Sequence, residues 1–251
     1  MDCLYENIRA RAHAVAQRFP EPAFYRDFAE SVGLSADMLE GDPVPRELYG
    51  HVARRLENDF GHGLDHVTKV TLDAGALAHI ETQKAGLDPA STRRWMALAQ
   101  CAGLLHDINR KEKDHAARGA ETAREVLPAF DLTPREIQDV CRAIRNHEAF
   151  RTPAPADGER GQALSDCLYD ADKFRWGPDN FTDTVWIMAC YFKVPLGEFM
   201  RRYPEGMAGV ARIRDTFRSE TGREYGPQFI DLGLAMGREI HGMILEEFLS
   251  P

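Results

Sequence analysis

Residues 95–105 of this 251-residue chain are almost entirely apolar, and they run directly into His106 and Asp107. A helix this apolar is buried on most of its sides, so it carries an imidazole and a carboxylate into the interior. An ionised carboxylate in such a place costs several kcal/mol unless it is paired or bound to a cation. Neighbouring helical side chains point about 100° apart, so the two can share a partner only if something small lies ahead of both. A divalent metal satisfies that condition, and imidazole nitrogen with carboxylate oxygen suits Fe, Mn, Co, Ni or Zn better than Ca. The alternative is an ordinary helix C-terminus, with His106 against the last carbonyls and Asp107 solvated. The dipeptide by itself favours that alternative, and the decision rests on what else converges on it.

The remaining pattern is helical. Leu4, Ile8, Ala12 and Val15 set one face of residues 1–19, which stop at Pro20. A second amphipathic piece over 23–32 is expected to end at Gly33, and a third, over 45–58, opens with Pro45. Gly61 and Gly63 let the chain turn into a helix that runs to about residue 82, with His62 and His66 four apart on one side. Val70, Ala74 and Leu77 continue below His66 at helical spacing, which turns His66 toward the core. Ser91 is the expected N-cap of a helix over 92–107. Ala116, Gly119, Ala120 and Ala123 make one side of the helix that His115 opens small enough for close approach. Thr133, Pro134 and Glu136 form a start signal, and Ile137, Val140, Cys141 and Ile144 set a face on which His147 falls. Leu164, Leu168 and Ala171 mark a face that Asp172 joins while Asp170 points elsewhere, so periodicity selects Asp172 as the buried carboxylate. Residues 151–161 read as an exposed flap, and helices are expected over 180–192, 196–218 and 227–248. No strand-period run or repeat interrupts this, so the fold class is all-α, one globular helical domain.

Composition narrows the function classes. A formal charge of -9 argues against nucleic-acid binding, which rests on an excess of Lys and Arg. No apolar run approaches the roughly 18 residues needed to cross a bilayer, and residues 1–19 carry charges throughout, so no membrane partner is expected and the expected location is cytoplasmic. The five cysteines are widely separated, without CxxC spacing, and read as reduced, buried small hydrophobes.

Six of the nine histidines lie between His62 and His147; His79 falls on another part of its helix, but for those at helix starts or on apolar faces one shared metal site is a simpler account than four or five separate ones. The order His66, His106 with Asp107, His115, His147, Asp172 resembles the HD-domain superfamily of metal-dependent phosphohydrolases, in its stand-alone bacterial branch. The carriers are 65–70 (DHVTKV), 103–108 (GLLHDI) and 170–174 (DADKF), with 115–120 and 144–147 similar to the intermediate histidine motifs of two-metal members. The resemblance implies an HD-type core over 60–177, flanked by N-terminal helices (1–59) packing on it and C-terminal helices (178–251) completing the same unit. It implies a first divalent metal held by His66, His106, Asp107 and Asp172, and a second held by His115 and His147 with Asp107 bridging. His115 follows Asp107 by only eight positions, shorter than in several two-metal relatives, so one or two ions per chain remain open.

The activity implied is hydrolysis of a nucleotide or other small phosphate ester, as a phosphomonoesterase or phosphodiesterase, with hydroxide generated at the metals as nucleophile. Arg110 and Lys173 are the expected catalytic cations beside His106 and Asp107, while His62, Lys111 and Arg175 are the expected substrate contacts. The competing readings are a di-iron oxygenase of the kind some HD-fold proteins represent and a noncatalytic nucleotide-binding regulatory module. Homodimerisation is compatible with any of them.

Overall fold

The computed structural model describes residues 3–56 and 63–249. Within them the chain is helical, with no strand among the described residues. The helices are α1 (Cys3–Ala16), α2 (Ala23–Asp27), α3 (Ala29–Gly41), α4 (Pro43–Ala53), α5 (Leu64–Lys84), α6 (Pro89–Leu105), α7 (His115–Val126), α8 (Pro134–Arg145), α9 (Glu159–Phe174), α10 (Val185–Tyr191), α11 (Leu196–Ala211) and α12 (Glu220–Glu247). No helix in these residues is long and apolar enough to cross a membrane.

Helix α6 is the central strut. It packs against α5 most extensively and also against α4, α8 and α9. Met96 to Leu105 are buried without interruption, and Gln100 is the one polar side chain in that stretch. Its approach to α5 depends on Gly103, since a Cβ there would stand 2.7 Å from the Cα of Thr71. Helix α7 lies under the end of α6 on the small face of Ala116, Gly119, Ala120 and Ala123, all buried, and a Cβ on Gly119 would come within 3.1 Å of the His106 carbonyl. The small stripe therefore sets how closely the two histidine-bearing helix ends approach. On the other flank Phe24, Phe174 and Phe229 join α2, α9 and α12, with the last two rings stacked at 4.0 Å.

Several boundaries differ from the sequence expectation, each for a local reason. Gly33 lies inside α3 rather than ending it, because Ser31, Ser35, Met38 and Leu39 bury the face around it and one glycine costs only about 1 kcal/mol. Helix α6 begins at Pro89 instead of Thr92. Asp88 is its cap, accepting from the amides of Ala90 and Ser91, with Pro89 in the first turn where no amide is needed. Helix α12 starts at Glu220, capped by Ser219, whose hydroxyl accepts from the Gly222 amide, so Pro227 sits inside it. The 180–192 segment is a π turn, Asn180–Thr184, leading into α10, and the 196–218 segment ends as a helix at Ala211. The capping box at Thr133 and Glu136 forms as the sequence indicates. Cys101, Cys141 and Cys167 are buried free thiols, whereas Cys190 is partly exposed.

Asp170 is the main correction. It is buried along with Asp172, because α9 packs against α5, α6 and α8 on one side and α12 on the other, leaving the helix no solvent face over its last turns. Its carboxylate accepts from the amides of Arg218 and Ser219 and from the Ser219 hydroxyl, and so ties α9 to the start of α12. Burial pushes its pKa up to about 7 despite those hydrogen bonds.

Candidate metal centre

Five chain segments end, begin or pass at one point. The first turn of α5 supplies His66, the end of α6 supplies His106 and Asp107, the first residue of α7 is His115, the residues after α8 bring His147, and the last turns of α9 bring Asp172. Two of the histidines are oriented in the same way. His106 Nδ1 lies 2.7 Å from the Gly103 carbonyl and His147 Nδ1 2.6 Å from the Ile144 carbonyl, each three residues back at a helix end where carbonyls lack helical partners. That hydrogen bond places the proton on Nδ1 and leaves the Nε2 lone pair facing the cluster.

The lone pairs then meet. His106 Nε2 stands 3.3 Å from His66 Nε2, and around this pair lie Asp107 Oδ2, at 3.6 and 3.9 Å from the two nitrogens, and Asp172 Oδ1, at 3.9 and 3.5 Å. A second group repeats the motif: His115 Nε2 and His147 Nε2 are 3.2 Å apart, and Asp107 Oδ1 is 3.5 Å from each. Ligands about 2.1 Å from one ion in a tetrahedral array lie about 3.4 Å from each other, which is the spacing of both groups. The buried Asp107 Oδ1 has no hydrogen-bond partner among the described residues. Converging acceptors with an orphaned carboxylate oxygen between them fit a cation. His66, His106 and Asp107 with Asp172 can hold one ion, and Asp107, His115 and His147 can hold another.

The electrostatics agree. Burial alone would raise the Asp107 and Asp172 carboxyls; His106, His147 and Arg110 around the first, and Lys173 with His66 and His106 around the second, outweigh it and hold both well below the ordinary carboxylate range. Burial pushes His106 down to about 4 and lowers His115 as well, which favours the neutral, ligating form of these two rings.

The remaining predicted residues fall into different places. Lys173 is buried, with its ammonium on Asp172 Oδ2, leaving Oδ1 to face the histidines. Arg110 Nη1 lies 2.8 Å from His115 Nε2 and its Nε 3.8 Å from Asp107 Oδ2, so its guanidinium sits against the second group. Arg175 lines the cavity, but it is buried and its terminal nitrogens are engaged by Asp73 (2.6 Å), Asp179 (2.5 Å) and the Tyr25 hydroxyl, so it braces the wall. Lys111 is exposed on the loop after Asp107. His62 lies outside the described residues.

The cavity over the cluster measures about 320 Å³. Sequence reasoning missed Glu148, Phe150, Trp176, Asn180, Thr184 and Met188 among its lining residues. Glu148 Oε1 faces His115 Nδ1 at 3.6 Å, and its position next to His147 was the one available hint. The others come from segments whose approach is purely tertiary.

Residues 63–176 match the HD domain family. The chain is similar to a solved structure described as a predicted HD superfamily hydrolase from an uncultured Thermotogales bacterium, with 24% identity, a TM-score of 0.47, and coverage of 84% of this chain and 92% of that one. No protein of curated function matches the chain.

Proposed function

We propose that this chain, whose residues 63–176 match the HD domain family, is a metal-dependent hydrolase of phosphate esters, its substrate a nucleotide or another small phosphorylated metabolite. The observation that supports this most directly is Asp107, whose two oxygens each face a separate pair of imidazoles. Divalent cations held there would supply Lewis acidity toward the phosphoryl oxygens and would acidify water at neutral pH. His66, His106 and Asp172 hold one position, His115 and His147 the other, and Asp107 serves both. Lys173 orients Asp172 from behind. Arg110, at the cavity wall and about a third exposed, can leave His115 to meet phosphoryl oxygens with its planar donor fork. Phe150 and Trp176 contribute aromatic surface to the cavity wall.

The test is metal analysis of purified protein followed by phosphate release over a panel of nucleotides and phosphomonoesters. Chelated protein should be inactive and should recover with Mn, Co or Ni under anaerobic conditions. Phosphate release from no member of the panel by metal-loaded protein would refute the reading. Turnover that requires iron and consumes oxygen would replace it with the oxygenase.

A further inference from the structure

The metal cavity has two neighbours of opposite character. Toward α5 and α1 it shares His66, Arg175 and Thr184 with a chamber of about 570 Å³. The charged groups of that chamber neutralise one another: Arg9 pairs with Asp183 at 2.6 Å, and Lys69 and Arg175 both pair with Asp179, at 3.3 and 2.5 Å. A polar ligand entering there would have to break those pairs. Toward α10 and α11 it shares Asn180 and Met188 with a groove of about 500 Å³ whose walls include Phe181, Val185, Ala189, Phe192 and Phe199. Phe192 is 56% exposed on that groove.

Two backbone features mark the junction. Asn180 opens the π turn, a geometry frequent at functional sites, and its side reaches both cavities. Phe150 is 56% exposed and held at φ +61°, a conformation costly for an aromatic residue. It lines the metal cavity, and 5.0 Å over its ring lies the guanidinium of Arg212, which lines the groove. This cation–π pair spans the two cavities from outside.

We propose that the groove seats an apolar arm of the substrate, so that the preferred phosphate ester is one of an aryl or alkyl alcohol whose phosphoryl group lies at the His–Asp cluster. This rests on the phosphohydrolase reading. The polar end of such a molecule meets the His–Asp cluster and Arg110, and its apolar end crosses Asn180 and Met188 into a groove whose charged lining residues, Arg202, Glu205 and Arg212, form no ion pair with one another among the described residues.

Calorimetric titration of Mn-loaded protein with methyl-, butyl-, hexyl- and octylphosphonate, whose P–C bond resists hydrolysis, tests it. Affinity should rise about two- to fourfold per methylene until the groove is filled. In Phe192→Asp, an exposed change outside the metal cavity, the rise should flatten while methylphosphonate binds as in the wild type. A flat wild-type series overturns the inference, as does an undiminished slope in Phe192→Asp. A flat series with a wild-type dimer that Phe192→Asp dissociates assigns the groove to a second copy of the chain. Failure of the underlying reading looks different: phosphonates of every length would bind the metal-free protein equally well, and no ester in the panel would release phosphate.

Discussion

The two halves of the cage share Asp107 but differ in how firmly the chain holds them. His66, His106 and Asp172 all sit on or directly at helices packed in the core, and Lys173 pins the far oxygen of Asp172. His115 is the first residue of α7, entered through Asp114 at φ +57°, at the end of an exposed loop, and its ring is 13% exposed. A guanidinium already leans on its Nε2. Helix ends packed in the core supply a site whose geometry exists before the ion arrives; a helix start next to an exposed loop supplies one that must exclude a competitor first. The first position should therefore bind tightly and the second weakly.

The largest effect should come from breaking both halves together. Asp107→Ala should reduce metal content from two equivalents to none and lower turnover by more than about 10³-fold, beyond the 10- to 100-fold typical of residues that only support a ligand. Retention of one tight ion would show that the halves do not depend on their shared oxygen pair. Next comes the contrast of neighbours on α9. Asp172→Ala should lose the first ion alone, whereas Asp170→Ala should keep both and unfold at lower denaturant, by about 2 to 3 kcal/mol, because amides at the start of α12 lose their buried acceptor. Equal metal loss in both variants would contradict the assignment.

Lys173→Met should weaken the first ion about 10- to 100-fold and leave the second unchanged, as read by competition with a chelating dye. Arg110→Ala should act in the opposite direction and on the other half, tightening the second ion about fivefold by removing a nearby positive charge. A weaker second ion in that variant would mean the guanidinium supports the site rather than occupying it.

The smallest effect is a signal that should not move. Burial holds His106 near 4, below the roughly 6.5 of an unfolded imidazole. Between those values the unfolded chain takes the proton and the folded one does not. The contribution of His106 to stability is thus complete above about pH 6.5 and lost as pH falls toward 4. In chelated protein its ring resonances should stay constant from pH 8 to about 5, and a midpoint near 6.5 would show the ring to be solvated.

Helical period and apolar content were enough to place the all-α class and to turn His66, His147 and Asp172 inward, because a residue at a fixed offset from an apolar stripe inherits its direction. They were also enough to bring His106 and Asp107 inside, since no exposed surface suits residues 95–105. What one helix packs against is not written in its own period. Asp170 and Asp172 lie on different sides of α9, so a single stripe could select only one, yet α12 covers the side that α5, α6 and α8 leave open. Likewise the sequence names Arg110 as a cation near the pair, but its position against His115 rather than toward solvent depends on how closely α7 approaches α6 over Gly119. Phe150, Asn180 and Met188 meet around one cavity from separate segments, and only the packed chain brings them there, because cavity walls form from contacts between faces whose mutual distance no local pattern encodes.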